Sequence, residues 1–167
     1  IMAAFNPQML KLGGEIADGV LLNYLPASHV KYSVNKVREG GNAKIFAYVH
    51  ASVSEFEKAQ TSARKDLFNY AMADGYAKMF KEAGFEDEIT ELREKQKNKD
   101  REGALSAISD KMIQAIDFIG TTAEVKDFVE TYAEAGVEHP ILMPMPWGEN
   151  REKVALETMQ AVFSSSV

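Results

Sequence analysis

Four short stretches of this 167-residue chain hold side chains suited to binding or transforming a ligand: Phe5-Asn6-Pro7-Gln8, Asn23-Tyr24, Ala51-Ser52 and Met143-Pro144-Met145-Pro146-Trp147-Gly148. The first is the most informative. A strand that turns at once into a helix leaves backbone N–H groups free at the helix start, a natural phosphate site. Gln8 and Met9 would supply those N–H groups and Asn6 a side-chain amide; the same residues also make an ordinary helix cap. His50 alternates with Tyr48 and Ser52, as either a packed strand residue or a catalyst. His29 falls in the first turn of a helix and His139 precedes Pro140, neither with an acid at a spacing that fixes a dyad. Trp147 beside Met143 and Met145 reads as an apolar wall at a strand end, or as a barrel plug or subunit contact. No serine elbow, phosphate loop or zinc-protease motif occurs. The catalytic residues are therefore unassigned.

These residues must be positioned by alternating strands and helices. Ile1–Phe5 is a continuous apolar run, the pattern of a strand buried on both faces. Asn6-Pro7 opens a helix that places Leu10, Gly13 or Gly14, and Ala17 on one stripe, up to the turn at Asp18-Gly19. Two adjacent glycines cost roughly 1 kcal/mol each in a helix, so a close approach to the sheet is expected there. A strand follows over 20–25, then a helix with Val30, Val34 and Val37 inward, closed by Gly40-Gly41. Residues 44–53 form a third strand rich in β-branched and aromatic residues. Ser54 and Glu57 have capping-box spacing, and Phe56, Ala59, Ala63, Leu67 and Tyr70 continue at helical spacing. Another helical piece spans about 76–83. Residues 84–107 read as a densely charged helical excursion anchored by Ile89 and Leu92, or as a lid. Met112, Ile116 and Ile119 then fit one helix stopped by Gly120. Thr121 and Glu124 make a second capping box, with Val125, Phe128, Val129 and Tyr132 as its helix's apolar face. A short buried strand is expected over 137–144. Asn150 caps a last helix with Val154, Met159 and Val162 inward, and Ser164-Ser165-Ser166 reads as a frayed tail.

Strands alternating with helices imply right-handed βαβ crossovers and a parallel sheet. Such folds place their sites at the carboxyl ends of the strands. The expected class is α/β, a single domain over 1–167 with about four parallel βα units, which make a small open sheet or half of an eight-stranded barrel. Composition narrows function further. Zero Cys removes disulfides, thiolate metal sites and a cysteine nucleophile, and the three His are too dispersed for a metal centre. A net charge of −6 with no basic block argues against nucleic acid as a partner. No apolar run approaches the roughly 18–20 residues of a membrane span, and no signal-peptide pattern opens the chain, so the expectation is a cytoplasmic protein without a membrane partner. The apolar opening at Ile1 points to a preceding segment or a covering second chain.

The segment from Ala3 to Asn23 resembles the luciferase-like monooxygenase superfamily, in particular its branch that uses the deazaflavin coenzyme F-420. Residues Ile119–Val125, Tyr132–Val137 and His139–Leu142 resemble the same family's last βα region, in the same order. The resemblance implies a TIM-barrel-like enzyme, present here as its C-terminal half, with coenzyme F-420 or alternatively FMN at the barrel mouth. It carries cofactor contacts over to Ala4, Phe5, Asn6, Pro7 and Gln8, and more loosely to Asn23. Many deazaflavin members have Gly just before the Pro, where this chain has Asn6. The implied activity is hydride transfer between the cofactor and a small-molecule substrate, with the fragment inactive alone. The alternatives are a non-catalytic half-barrel that oligomerises through exposed strand edges, as a homo-oligomer or with a missing N-terminal half, and an open α/β binding domain.

Overall fold

The computed structural model describes residues 1–148 and 150–163; the Ser164–Ser166 tail lies outside the described residues. The elements are β1 (Met2–Ala3), α1 (Pro7–Ile16), β2 (Gly19–Leu22), α2 (Ala27–Gly40) and β3 (Lys44–Val53). Then come α3 (Phe56–Ala71), α4 (Asp74–Phe80), a π-helical turn (Lys81–Phe85), α5 (Glu86–Lys97), α6 (Arg101–Ser106) and α7 (Asp110–Ile116). The chain closes with β4 (Asp117–Gly120), α8 (Thr122–Glu134), β5 (His139–Pro144) and α9 (Arg151–Phe163).

All strand pairings are parallel, and β3 is their hub. β2 pairs with Lys44–Ala47 of β3 and β1 pairs with β2. β5 runs along the other edge of β3, from Phe46 to Ala51. β4 occupies His50–Val53, on the same edge as β2 but nearer the carboxyl end. The expectation of one helix running to Gly120 is thus corrected: α7 stops at Ile116 and the next four residues are a strand. Its cause lies in β2, which ends at Leu22 rather than Leu25 because Tyr24 turns away with φ 49°. That leaves the upper edge of β3 open, and β4 fills it. Gln114 completes β4's outer side, its Nε2 donating to Ile119 O (2.9 Å) and its Oε1 accepting from Ile119 N–H (3.0 Å).

Two other strands differ from expectation. β1 is two residues long, with Ile1 77% exposed, and β5 alternates exposed and half-buried residues. Among the described residues each pairs with one strand, β1 with β2 and β5 with β3.

Helix starts follow local chemistry. Asn6 caps α1, Thr121 and Glu124 form a reciprocal box on α8, and Asn150 Oδ1 accepts from Lys153 N–H at 3.0 Å. The Ser54–Glu57 box is not formed: Glu55 is the N-cap of α3 and makes no side-chain cap bond. Ile45, Ala47, Val49 and Ala51 of β3 are fully buried on one face. α1 lies against that side of the sheet through Gly13, whose Cβ position meets Val20 and Met2. Gly14 serves a different contact, with the Val37 carbonyl of α2, and Gly40 faces the Lys11 carbonyl in return. On the other face of β3, Phe46 and Tyr48 are half-buried while His50 and Ser52 are buried. In α9 it is Val154, Thr158 and Ala161 that face inward, and Met159 is 40% exposed.

Candidate functional site

Side chains of α3 and α4 meet residues just past the carboxyl ends of β1 and β2, and this is where aromatic and ionisable groups gather. Phe5 stacks on Tyr76 of α4 with ring centroids 4.6 Å apart. Tyr76 meets Tyr70 edge-on at 5.1 Å, Tyr70 stacks on Tyr24 at 3.6 Å, and Tyr24 stacks on His50 at 4.0 Å. One aromatic row therefore runs from the end of β1 to β3. Offset and edge-on contacts of this kind each contribute about 0.5–1.5 kcal/mol beyond burial.

Polar groups punctuate the row. Tyr24 OH donates to Asp66 at 2.5 Å, and Asn23 Nδ2 donates to Tyr76 OH at 3.3 Å. Burial first, and then the bond to Asp66, push the Tyr24 phenol strongly upward. Burial likewise raises Tyr76. His50 is driven down to about 4 by burial and is neutral. Beside it in the sheet, Asp117 pairs in register with His50 and is completely enclosed. Both its carboxyl oxygens lack a hydrogen-bond partner among the described residues, as do Asn23 Oδ1 and Ser52 Oγ. Burial first, and the Asp66 charge second, hold the Asp117 acid well above the usual carboxylate range. An enclosed, unpaired carboxylate is far costlier than a neutral acid, so Asp117 carries its proton. The arrangement thus offers a neutral acid, a neutral imidazole and a tyrosine-bound carboxylate, groups that hold and exchange protons.

The structure distributes the sequence-derived candidates unevenly. Ala4 is buried, with its N–H donating to Leu21 O at 3.1 Å. Phe5 and Asn23 converge on Tyr76. Asn6, half-buried Pro7 and Gln8 form the start of α1, where Asn6 Oδ1 accepts from Met9 N–H at 2.9 Å. His29 packs on Tyr32 and is lowered by burial, and His139 stacks on Phe46. Trp147 is 9% exposed and lines a cleft of about 390 Å³ with Lys65, Asp66, Asn69 and Arg151. A larger cavity of about 740 Å³ lies where the first turns of α3, α8 and α9 meet, with Lys58 and Lys153 set among Glu55, Glu124 and Glu157. Sequence spacing does not single out Asp66, Tyr70, Tyr76 or Asp117 as site residues. Asp117 had a signal: an acid between Ile116 and Phe118-Ile119 sits inside an apolar run.

Comparison with known proteins agrees with this architecture. Residues 1–139 match the luciferase-like monooxygenase family. The chain is similar to the 5,10-methylenetetrahydromethanopterin reductase of Methanopyrus kandleri, 28% identical over 161 residues that cover 91% of this chain and 46% of the relative. The Archaeoglobus fulgidus reductase of the same name is 27% identical, with 91% and 49% covered. The solved coenzyme F-420 dependent tetrahydromethanopterin reductase of M. kandleri superposes with a TM-score of 0.75 at 26% identity, over 98% of this chain and 49% of that one. The chain spans about half the length of these relatives, and its α/β fold is TIM-barrel-like. It belongs to the luciferase-like monooxygenase family.

Proposed function

We propose that this chain is the C-terminal half of an oxidoreductase that passes a hydride between the deazaflavin coenzyme F-420 and a small organic substrate. The observation carrying this reading is the superposition of nearly the whole chain on half of an F-420 dependent reductase. The residues present suit a planar heterocycle. Phe5, Tyr76, Tyr70 and Tyr24 provide a continuous aromatic wall, and the partnerless Asn23 Oδ1 and Ser52 Oγ stand at adjacent strand ends. Ala4, Phe5, Asn6, Pro7, Gln8 and Asn23 are the residues that would hold the coenzyme, and the Gln8 N–H in the first turn of α1 would suit an anionic group.

When bound, the coenzyme supplies the carbon that carries the hydride. The chain's own contribution is positional and electrostatic. The aromatic row lies along the strand ends, and the Asn23 side chain, with an unpartnered Oδ1 among the described residues, would be available to accept a hydrogen bond from the coenzyme. Asp66 fixes the Tyr24 hydroxyl, and Tyr24 holds His50 by stacking. FMN is the alternative cofactor.

Fluorescence titration with coenzyme F-420, and separately with FMN, tests the assignment on the chain and on any longer polypeptide that contains it. Saturable F-420 uptake, weakened about tenfold by Asn23→Ala, is the expected result. FMN uptake alone reassigns the cofactor, and uptake of neither overturns the reading.

A further inference from the structure

We propose that the cleft of about 390 Å³ beside Trp147 binds the carboxylate of a small molecule with a flat apolar body. The cleft lies past the carboxyl end of β5, between α3 and the first residue of α9. Its lining side chains carry two positive charges, Lys65 and Arg151, against the single negative charge of Asp66, in a chain whose net charge is −6. Asp66 is already engaged, since its Oδ2 accepts from Tyr24 OH.

Arg151 stands apart from the other arginines. Arg38, Arg64 and Arg93 are paired with Glu138, Asp110 and Asp74, and the Arg101 guanidinium lies over the Phe68 ring. Arg151 has neither an ion pair nor a ring contact among the described residues, and Lys65 has neither as well. A guanidinium without an internal anion is free to take one from outside, and its planar fork matches both oxygens of a carboxylate. The larger cavity has no such vacancy: Lys58 and Lys153 are paired there with Glu55 and Glu157.

Trp147 supplies the apolar wall, and the loop that carries it is held at several points. Met145 N–H donates to Ala51 O and Trp147 N–H to Met145 O, both at 2.8 Å. Gly148, at φ 119°, passes so close to Ser54 that a Cβ would stand 2.8 Å from its Oγ. The indole packs into the main core while still lining the cleft, so a flat apolar body meets a preformed surface. Asp66 belongs both to the cleft and to the aromatic row, and one carboxylate therefore separates the cleft from Tyr24. On the oxidoreductase reading, on which this last step rests, the occupant is the substrate, a carboxylic acid; anion binding in the cleft stands without that reading.

Trp147 is the chain's single tryptophan, so indole fluorescence reads this cleft directly. Benzoate, titrated into the chain and into any longer polypeptide that contains it, should give a saturable change in emission. Benzamide, similar in shape but uncharged, should bind about tenfold more weakly or worse. Arg151→Gln and Lys65→Gln should each weaken benzoate about tenfold with circular dichroism unchanged, because both side chains are exposed. Lys44→Gln, at the opposite end of β3, should leave benzoate binding as it was. No saturable response, equal binding of benzamide, equal loss in all three variants, or a response lost in the longer polypeptide overturns the proposal. Uptake of F-420, followed by the coenzyme's own fluorescence, is a separate reading. Uptake without benzoate binding removes the cleft assignment alone, and benzoate binding without uptake removes the coenzyme assignment alone.

Discussion

Asp117 and His50 are side-by-side residues with opposite responses to burial, and together they bracket the pH range of the fold. A buried acid raised above its ordinary value favours the folded state fully only below the unfolded carboxyl's range near 3.9. That contribution is lost as pH rises toward its folded value, at about 1.4 kcal/mol for each pH unit between the two. His50 acts on the other limb. Its depressed value of about 4 means that stability present above pH ~6.5 is lost as pH falls toward 4, roughly 3 kcal/mol in all. Asp117→Asn keeps the shape of the neutral acid and removes its ionisation. Urea unfolding should therefore show the variant more stable than wild type at pH 8 and equal to it near pH 4; a destabilised variant at pH 8 would show that the carboxylate itself is required. Residue chemistry was legible in the sequence where it was local, as at Asn6-Pro7 and Thr121–Glu124. The partners of Asn23 and Tyr24 lie 53 and 42 residues away, and no spacing rule connects such pairs.

The contact between α1 and α2 is set by backbone rather than side chains. Gly14 and Gly40 each place their Cα against a carbonyl of the facing helix, Val37 O and Lys11 O, where a Cβ would collide with main chain. Gly14→Ala should consequently destabilise by about 1–3 kcal/mol despite alanine's better helix propensity. Thermal denaturation checks this, and a stabilised variant would mean the helices can separate freely. The glycine pair was readable as a packing device, but its partner was not: the sequence pointed both residues at the sheet, and only Gly13 goes there. β4 was illegible for a related reason. Met112, Ile116 and Ile119 keep helical spacing across the boundary, and Asp is a poor strand former. The strand exists because a vacancy on β3 and the Gln114 amide accept it, both set by tertiary structure.

At the scale of the molecule, the sheet with α1, α2, α8 and α9 is one cohesive body, and the α5–α6 segment is attached to it by few groups. α5 buries only Ile89 and Leu92, and α6 only Ala104. Hydrogen exchange should therefore proceed in residues 86–106 by local opening, well ahead of residues 44–53; equal protection of the two peptides would contradict this. The parallel α/β class and the barrel resemblance were legible because βαβ alternation and cap chemistry repeat along the chain. The strand count and the exposure of β5 were not, since both depend on which edges lack neighbours.

The central position of β3 has a consequence for synthesis on the ribosome. Once residue 53 has emerged, Lys44–Ala47 can pair with β2, but the opposite edge waits for Pro144, the last residue of β5. At about 5–20 residues per second, that interval lasts several seconds. Throughout it the nascent chain displays Ile45-Phe46-Ala47-Tyr48-Val49 as a bare template, so β3 should be open to chaperone capture for the length of that interval.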